Sequence, residues 1–523
     1  MFKSFSKKSA LAIISAVMTI GSMYGPVNAL AQTEQTSTPQ EVTAGIEAEN
    51  KIVFNDPEFE GLVRYIINKP TGDIFEDDVK NIDAIYSYDM GISDASPIKY
   101  FTGLTYLEML EFPVDVSTLS TLKNLNTLII PNLSDISFLA DLPKLTSLTI
   151  HQKDFNESEI DLISSLNNLT SLSFHDCAID DLTPFTKLKN ITSLTLFNCT
   201  VDDLSSIGEF NNLTHLSLNF TDLNDKDTSF ISKLSNLTSL NLSDTNIKDL
   251  ASLSKLTNLT EFEATACKIS DISPLANLTK LTKLDLTLNS IEDISALTNL
   301  TKLTTLNLSS NKVADISPLA NLTDLSQLNM HGNSVKVLSP LKELTNLTDL
   351  NLSSNNISSI SDLSNNTKLI NLNLSDNNII VISPLANLKA LNLLRIGSNQ
   401  IRDISVLSSL NLKDLSCLPN PLYSKSTPNA IHKSELDFYV NGQTYEVWFA
   451  EEEEYIIYGD VNGDKTVNAI DFAAFRAYLL CKTDTLANLS GADLNADGSV
   501  NPIDFALLRK FILGQINSLP YRR

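Results

Sequence analysis

Leu303-Thr304-Thr305-Leu306-Asn307-Leu308-Ser309-Ser310-Asn311-Lys312-Val313-Ala314-Asp315-Ile316-Ser317-Pro318-Leu319-Ala320-Asn321-Leu322 is one turn of a pattern that fills the centre of this chain. It reads L-x-x-L-x-L-x-x-N-x-I, and its Asn returns as Asn289, Asn311, Asn333, Asn355, Asn377 and Asn399 at intervals of 22 residues. Working outward, the first Leu or Ile of successive units falls at 104, 125, 145, 169, 191, 213, 237, 259, 281, 303, 325, 347, 369, 391 and 412. A degenerate unit, Ile82-x-x-Ile85, stands ahead of these fifteen. Within a unit the L-x-L alternation makes a short strand with its leucines on one face. The Asn then turns the chain. Its side-chain amide can bond backbone groups of neighbouring coils that would otherwise be buried unpaired. The stretch Val313-x-x-Ile316-x-x-Leu319 returns on the convex side. No unit can bury its leucines alone, so residues 82–421 are expected to stack into an α/β solenoid, a horseshoe with a parallel sheet on its concave face.

The pattern resembles the leucine-rich repeat. Stepping back 22 residues from Asn289 gives Cys267, and Cys199 and Cys177, also 22 apart, occupy the same slot. The resemblance implies that this slot accepts Cys in place of Asn. Cys417 falls at an inward strand position and Cys481 on an expected helix, so no disulfide framework is expected from the five cysteines. A solenoid needs caps. In residues 49–81, Asp56-Pro57 is a helix start, and Leu62, Ile66 and Ile67 have helical spacing, giving a helical N-terminal cap. That segment, and the phrase Asp315-Ile-Ser-Pro-Leu-Ala-Asn-Leu-Thr323, resemble bacterial, internalin-like repeat proteins. Beyond Pro419-Asn420-Pro421 the repeat stops. Residues 438–449 alternate around Asn441-Gly442, hence a β-hairpin, expected within 422–450 as the C-terminal cap. Glu451 to Glu454 reads as an acidic linker.

Residues 1–31 read as a secretory signal peptide: Lys3, Lys7 and Lys8, an apolar run from Ala10 to Ile20, then Ala29-Leu30-Ala31. Its removal would take the formal charge from −24 to −27, with three lysines leaving. Residues 32–48, rich in Thr, Glu and Gln, read as a flexible leader. A pI near 4.6 argues against nucleic acid and anionic lipid as partners, since both need basic patches. No later stretch is long and apolar enough for membrane insertion. The expected location is extracellular, or cell-surface through a non-covalent attachment.

The last segment carries the metal chemistry. Asp460-Val-Asn462-Gly-Asp464-Lys-Thr466-Val-Asn468-Ala-Ile-Asp471 has a copy 33 residues on, Asp493-Leu-Asn495-Ala-Asp497-Gly-Ser499-Val-Asn501-Pro-Ile-Asp504. Each places oxygen side chains at loop positions 1, 3, 5, 9 and 12, as calcium requires, with the position-7 carbonyl of Thr466 or Ser499 as a further donor. Position 12 is Asp instead of Glu, and one helix follows each loop. Phe472, Phe475, Tyr478 and Leu479 give the first helix an apolar face, and Phe505, Leu508, Phe511 and Ile512 the second. The pair, residues 455–518, resembles a type I dockerin, a small all-α, EF-hand-like module. The resemblance implies two Ca²⁺ ions and a cohesin of a cellulosome scaffold as partner. It also implies cohesin contacts at Ala469, Ile470, Arg476 and Ala477, and at Pro502, Ile503, Arg509 and Lys510. The second loop has Gly498 at position 6, where a left-handed residue is usual, and the first has Lys465, so the first site is expected to be the weaker.

On the horseshoe, residues flanking the strand leucines face the concave side. His151, His175, Phe197, His215 and Phe220 are the candidates there for holding a protein or glycan partner. The later coils repeat Asn307, Asn329, Asn351 and Asn373 beside Ser309, Ser353 and Ser375. The expected function is a non-catalytic recognition subunit attached to a scaffold in polysaccharide degradation. The alternatives are a dockerin-bearing glycoside hydrolase with a cryptic site on the repeats, for which Glu261, Glu263 and Asp285 are the one carboxylate cluster, and a cell-surface adhesin. The roughly 35 residues left between repeats and dockerin are too few for a catalytic domain.

Overall fold

The computed structural model of the protein describes residues 50–87, 90–110, 116–223, 228–420, 438–440, 443–445, 461–462, 467, 469–480, 486, 492–495 and 500–513. The expected signal peptide, leader, acidic linker and Cys481 lie outside the described residues. Sixteen parallel strands form one sheet in chain order, from β1 (Ala84–Ser87) to β18 (Asp414–Ser416). Two others, β6 (Ala178–Asp181) and β8 (Thr200–Asp203), pair with each other in parallel. The inward leucines Leu284, Leu306, Leu328, Leu350, Leu372 and Leu394 stand opposite one another along the sheet. None is more than 2% exposed. At about 1.5–3 kcal/mol for each aliphatic side chain taken from water, this column is the main source of order.

The slot residues tie the coils together. Asn311 Nδ2 donates to the carbonyl of Leu286 in the preceding coil at 2.9 Å, and its Oδ1 accepts from Ile291 N–H at 3.0 Å. Asn333, Asn355, Asn377 and Asn399 repeat the pattern. The thiols take the donor half of the role: Cys199 Sγ donates to Phe174 O at 3.3 Å and Cys267 Sγ to Leu242 O at 3.0 Å. A thiol offers no good acceptor to a neighbouring N–H. Where Cys177 and Cys199 stand, the backbone pairs directly instead, as β6 against β8 and through Thr200 N–H to Cys177 O. Cys177, Cys199, Cys267 and Cys417 are all buried free thiols. Sequence reading missed three members of this column. Thr221 Oγ1 donates to Leu196 O at 3.1 Å, Thr245 Oγ1 to Leu242 O at 2.6 Å, and Lys153 Nζ to Leu133 O at 2.7 Å. Lys153 is 5% exposed and pairs with Glu159 at 2.9 Å. Glu159 belongs to the Asn156 capping box of a helix, Glu157–Ser164, which replaces the usual short 3₁₀ return of its coil.

Two further columns run along the outside. Thr282 and Thr304 each donate their hydroxyl to the carbonyl of the same residue one coil back, Thr260 and Thr282, at 3.1 Å. Asn212, Asn236 and Asn258 donate to Lys189, Asn211 and Ser235 carbonyls at 2.8–2.9 Å. At many returns an Asp such as Asp315 accepts from the N–H two residues on, here Ser317 at 2.8 Å, and Pro318 sits in the 3₁₀ turn that follows.

The N-terminal helix runs Pro57–Ile66, with Asp56 accepting from Phe59 N–H and Pro57 at the first position. It buries Phe59 and Val63. That corrects the expected face of Leu62, Ile66 and Ile67: Ile66 is 37% exposed, because Phe59 and Val63, four apart, form the seam toward the first coil. Phe438–Val440 pairs antiparallel with Gln443–Tyr445. Further on lie two helices, Ala469–Leu479 and Pro502–Ile512, around a small core of Val461, Phe475, Ala492, Leu494, Leu507 and Leu508. Phe472 stacks on Phe505 at 4.3 Å. In the second helix Leu507 is buried and Phe511 only half-buried, so Leu507 takes the core place that the spacing gave to Phe511. Among the described residues no helix is long and apolar enough to cross a membrane.

Candidate functional site

Each helix of the C-terminal pair begins where an acidic loop ends, so the position-12 Asp is its third residue. Asp471 and Asp504 are both fully buried. Asp471 Oδ1 accepts from Val461 and Asn462 N–H at 3.0 and 3.2 Å. Asp504 Oδ1 accepts from Leu494 and Asn495 N–H at 2.8 and 3.2 Å. Each carboxylate thus reaches back ten residues to the start of its own loop. Asn501 caps the second helix, accepting from Ile503 N–H, while Asp504 Oδ2 accepts from Asn501 N–H at 2.9 Å. Of the expected ligands, Asn462, Asp471, Asp493, Asn495, Asn501 and Asp504 are described; Asp460, Asp464, Thr466, Asn468, Asp497 and Ser499 lie outside the described residues, as does Lys465. Two fully buried carboxylates closing loops of hard oxygen donors fit calcium and not a soft-ligand metal. When bound, the ion supplies positive charge that holds the acidic loops closed; the residues that would hold it are the loop carboxylates and amides named above.

The helix starts present their contact candidates to solvent. Ile470 is 62% and Ile503 60% exposed, at the second residue of each helix. Ala469 and Arg476, like Pro502 and Arg509, are two turns apart and share a face. Ala477 is half-buried and Lys510 exposed.

On the concave face the structure joins four of the five candidate residues. His151 and His175 rings lie 4.5 Å apart, His175 and Phe197 stack at 5.3 Å, and Phe197 meets Phe220 edge-on at 5.1 Å. His215 is not in this stack: it pairs with Ser193 and Ser239, four residues along the strand from Phe197's row, and its Nδ1 lies 2.8 Å from Thr214 Oγ1. Burial lowers the pKa of both stacked imidazoles. It brings His175 to about 4, with the neighbouring His151 adding to the shift. The repeated asparagines prove structural. Asn307, Asn329, Asn351 and Asn373 each accept from the N–H two residues on at 3.1 Å, fixing the strand's exit. The carboxylates of the Glu263 and Asp285 cluster are likewise engaged. Glu263 takes Lys283 at 2.9 Å and Asn241 at 2.7 Å; Asp285 takes Thr287 and Asn307.

The model for the dockerin type I domain matches residues 458–513, and that for leucine-rich repeats (two copies) matches 235–277, 279–321 and 301–338. No curated protein matches the chain. Among solved structures, an internalin (inlF) from Listeria monocytogenes is 27% identical over 69% of this chain and 95% of its own, with a TM-score of 0.44. Internalin C2 of the same organism is 34% identical over 36% and 83%, at 0.34. A leucine-rich repeat protein of Leptospira interrogans is 21% identical over 64% and 95%, at 0.55, and shares the solenoid fold. The ladder of inward leucines and slot asparagines, followed by two acidic loop–helix units, therefore identifies a leucine-rich repeat protein that carries a type I dockerin domain.

Proposed function

We propose that the chain is an exported, non-catalytic recognition subunit whose dockerin attaches it to a cohesin of a cellulosome-type scaffold while the horseshoe holds a separate partner. The observation that carries this reading is the duplicated loop–helix unit. Asp471 and Asp504 are equally buried, and Ile470 and Ile503 similarly exposed, so each unit pairs a buried loop-end carboxylate with an exposed apolar side chain at its helix start. Two calcium ions would serve the two loops, with Asp460, Asn462, Asp464, Thr466, Asn468 and Asp471 around one and Asp493, Asn495, Asp497, Ser499, Asn501 and Asp504 around the other. Basic Arg476, Arg509 and Lys510 on an otherwise acidic chain suit an acidic cohesin rim. The hydrolase alternative lacks a free carboxylate pair at Glu261, Glu263 and Asp285, since the latter two are tied to neighbours. A panel of immobilised type I cohesins, with the full chain in calcium or in EDTA, tests the attachment. Calcium-dependent capture by at least one cohesin is expected, and capture by none would sink the reading. Polysaccharide release by the pure protein would sink its non-catalytic part.

A further inference from the structure

We infer that the ring stack His151–His175–Phe197–Phe220 is the docking site for an extended, cationic polypeptide segment that sets an apolar side chain against Phe220. The inference rests on the horseshoe being a recognition module and names the surface and chemistry it uses. Three unfavourable features meet at residues 219 and 220. Phe220 holds a left-handed backbone, φ 58°, which a bulky side chain rarely adopts. Its ring is 45% exposed. Asn219 Oδ1 is buried and accepts no hydrogen bond. The left-handed turn belongs to the coils in general, for the same place holds Asp176, Asn198, Asp244 and Gly332 and also Ala266 and Leu288; the exposed aromatic ring there is what this coil adds. Such features collect where a surface serves a ligand.

The arrangement favours a polypeptide over a sugar. The rings spend their faces on one another, His175 and Phe197 lying within 27° of parallel. Only Phe220 offers much free ring surface, so a row of sugar rings has no run of flat faces to stack on. Beside the stack runs a floor of small hydroxyl residues, Thr149, Ser173, Thr195 and Ser217, in register on successive strands. A shallow trough with an aromatic wall suits an extended backbone with one anchoring side chain. The charge is one-sided. Glu108 lies on the concave face ahead of the stack and Asp176 is exposed beside His175, and the strands from Tyr106 to Ser217 carry no Lys or Arg. That potential selects a cationic segment.

The test uses the full chain in calcium against arrayed twelve-residue peptides. They come in pairs that differ only in Lys/Arg against Asp/Glu, with a central Phe, Leu or Ser, and are run alongside linear β-glucan and xylan oligosaccharides. Cationic peptides with an apolar centre should bind at least tenfold tighter than their acidic twins. Phe220→Asn should lose at least tenfold without lowering the thermal midpoint, because Asn accepts the left-handed backbone. Asp176→Asn should weaken the cationic set several-fold. Equal binding of the twins, or unchanged binding by Phe220→Asn, overturns the inference while leaving the recognition reading intact. Phe220-dependent retention of an oligosaccharide reassigns the stack to glycan and overturns it too. Binding of neither class overturns both, whereas cohesin capture by the same sample reports separately on the dockerin.

Discussion

Replacing Asn333 tests the physical basis of the horseshoe. Its Nδ2 donates to the carbonyls of Leu308, Met330 and His331 at 2.9, 3.1 and 3.2 Å, and its Oδ1 accepts from Val313 N–H at 2.9 Å. Leu308 and Val313 are wholly buried. Asn333→Ala strands the buried Val313 N–H, while the Leu308 carbonyl keeps Asn311 Nδ2 as a donor at 3.1 Å, so a loss of about 1–3 kcal/mol is expected. Asn333→Cys should fall between, since a thiol restores the donor toward Leu308 but no acceptor for Val313, just as Cys267 donates to Leu242 of the coil before it. Asn333→Asp should be the worst of the three, with a carboxylate aimed at three carbonyls. Urea unfolding of the full chain in calcium, followed by far-ultraviolet circular dichroism, gives the order directly. An Ala variant within about 0.5 kcal/mol of wild type, or an Asp variant as stable as the Cys variant, would refute the ladder argument.

Lys153→Met should cost about 3–5 kcal/mol, because it leaves Glu159 buried without its cation, and Glu159→Gln in the same chain should recover part of the loss in a double-mutant cycle. The stacked histidines set a pH dependence. Their folded pKa values are depressed below 6.5, so the folded chain binds fewer protons than the unfolded one, and stability should fall as pH drops from about 6.5 toward His175's value of about 4. A His151→Gln, His175→Gln variant should lose that part of the slope in urea midpoints measured from pH 7 to 4, and an unchanged slope would show the imidazoles stay solvated. Buried Cys417 has its pKa pushed up to about 11, and desolvation also raises that of Cys267, so both should resist thiol reagents until the horseshoe unfolds. Changing Ile470 and Arg476 should weaken cohesin capture in part, and adding Ile503 and Arg509 should abolish it; full loss from the first pair alone would show a single binding mode.

Much of the horseshoe could be read from residue spacing, because a repeated unit writes its inward positions many times over. Leu306 or Asn311 alone would mean little; the same residues at constant intervals fix a strand, a turn and a slot. What escaped were positions where chemistry was kept and residue type changed. Thr221, Thr245 and Lys153 occupy the slot by donating to a carbonyl, which no Asn-or-Cys pattern detects. The threonine and outer asparagine columns had a visible signal, the recurring Asn-Leu-Thr triplet at Asn212, Asn236 and Asn258, but its meaning needed the carbonyl one coil back. The concave asparagines were visible as a repeated row, but their role was not: their oxygens are spent on the backbone two residues on. His215 was grouped with the ring stack because alternation places both on one face; only the register separates the columns. In the acidic loops the spacing of oxygen side chains was plain, whereas the burial of Asp471 and Asp504 against the backbone of their own loop starts was not.

The central claim is that calcium order in the duplicated loops, and nothing in the horseshoe, controls attachment to a scaffold. The direct measurement is hydrogen exchange of the full chain with and without EDTA, read together with cohesin capture of the same samples. Chelation should raise exchange across Ala469–Leu479 and Pro502–Ile512, as the loop carboxylates repel one another, and should abolish capture. Protection at Leu284, Leu306, Leu328 and Leu350 should be unchanged, and calcium should restore both signals. Capture that persists in EDTA, or loss of protection in the leucine column on chelation, would contradict the account.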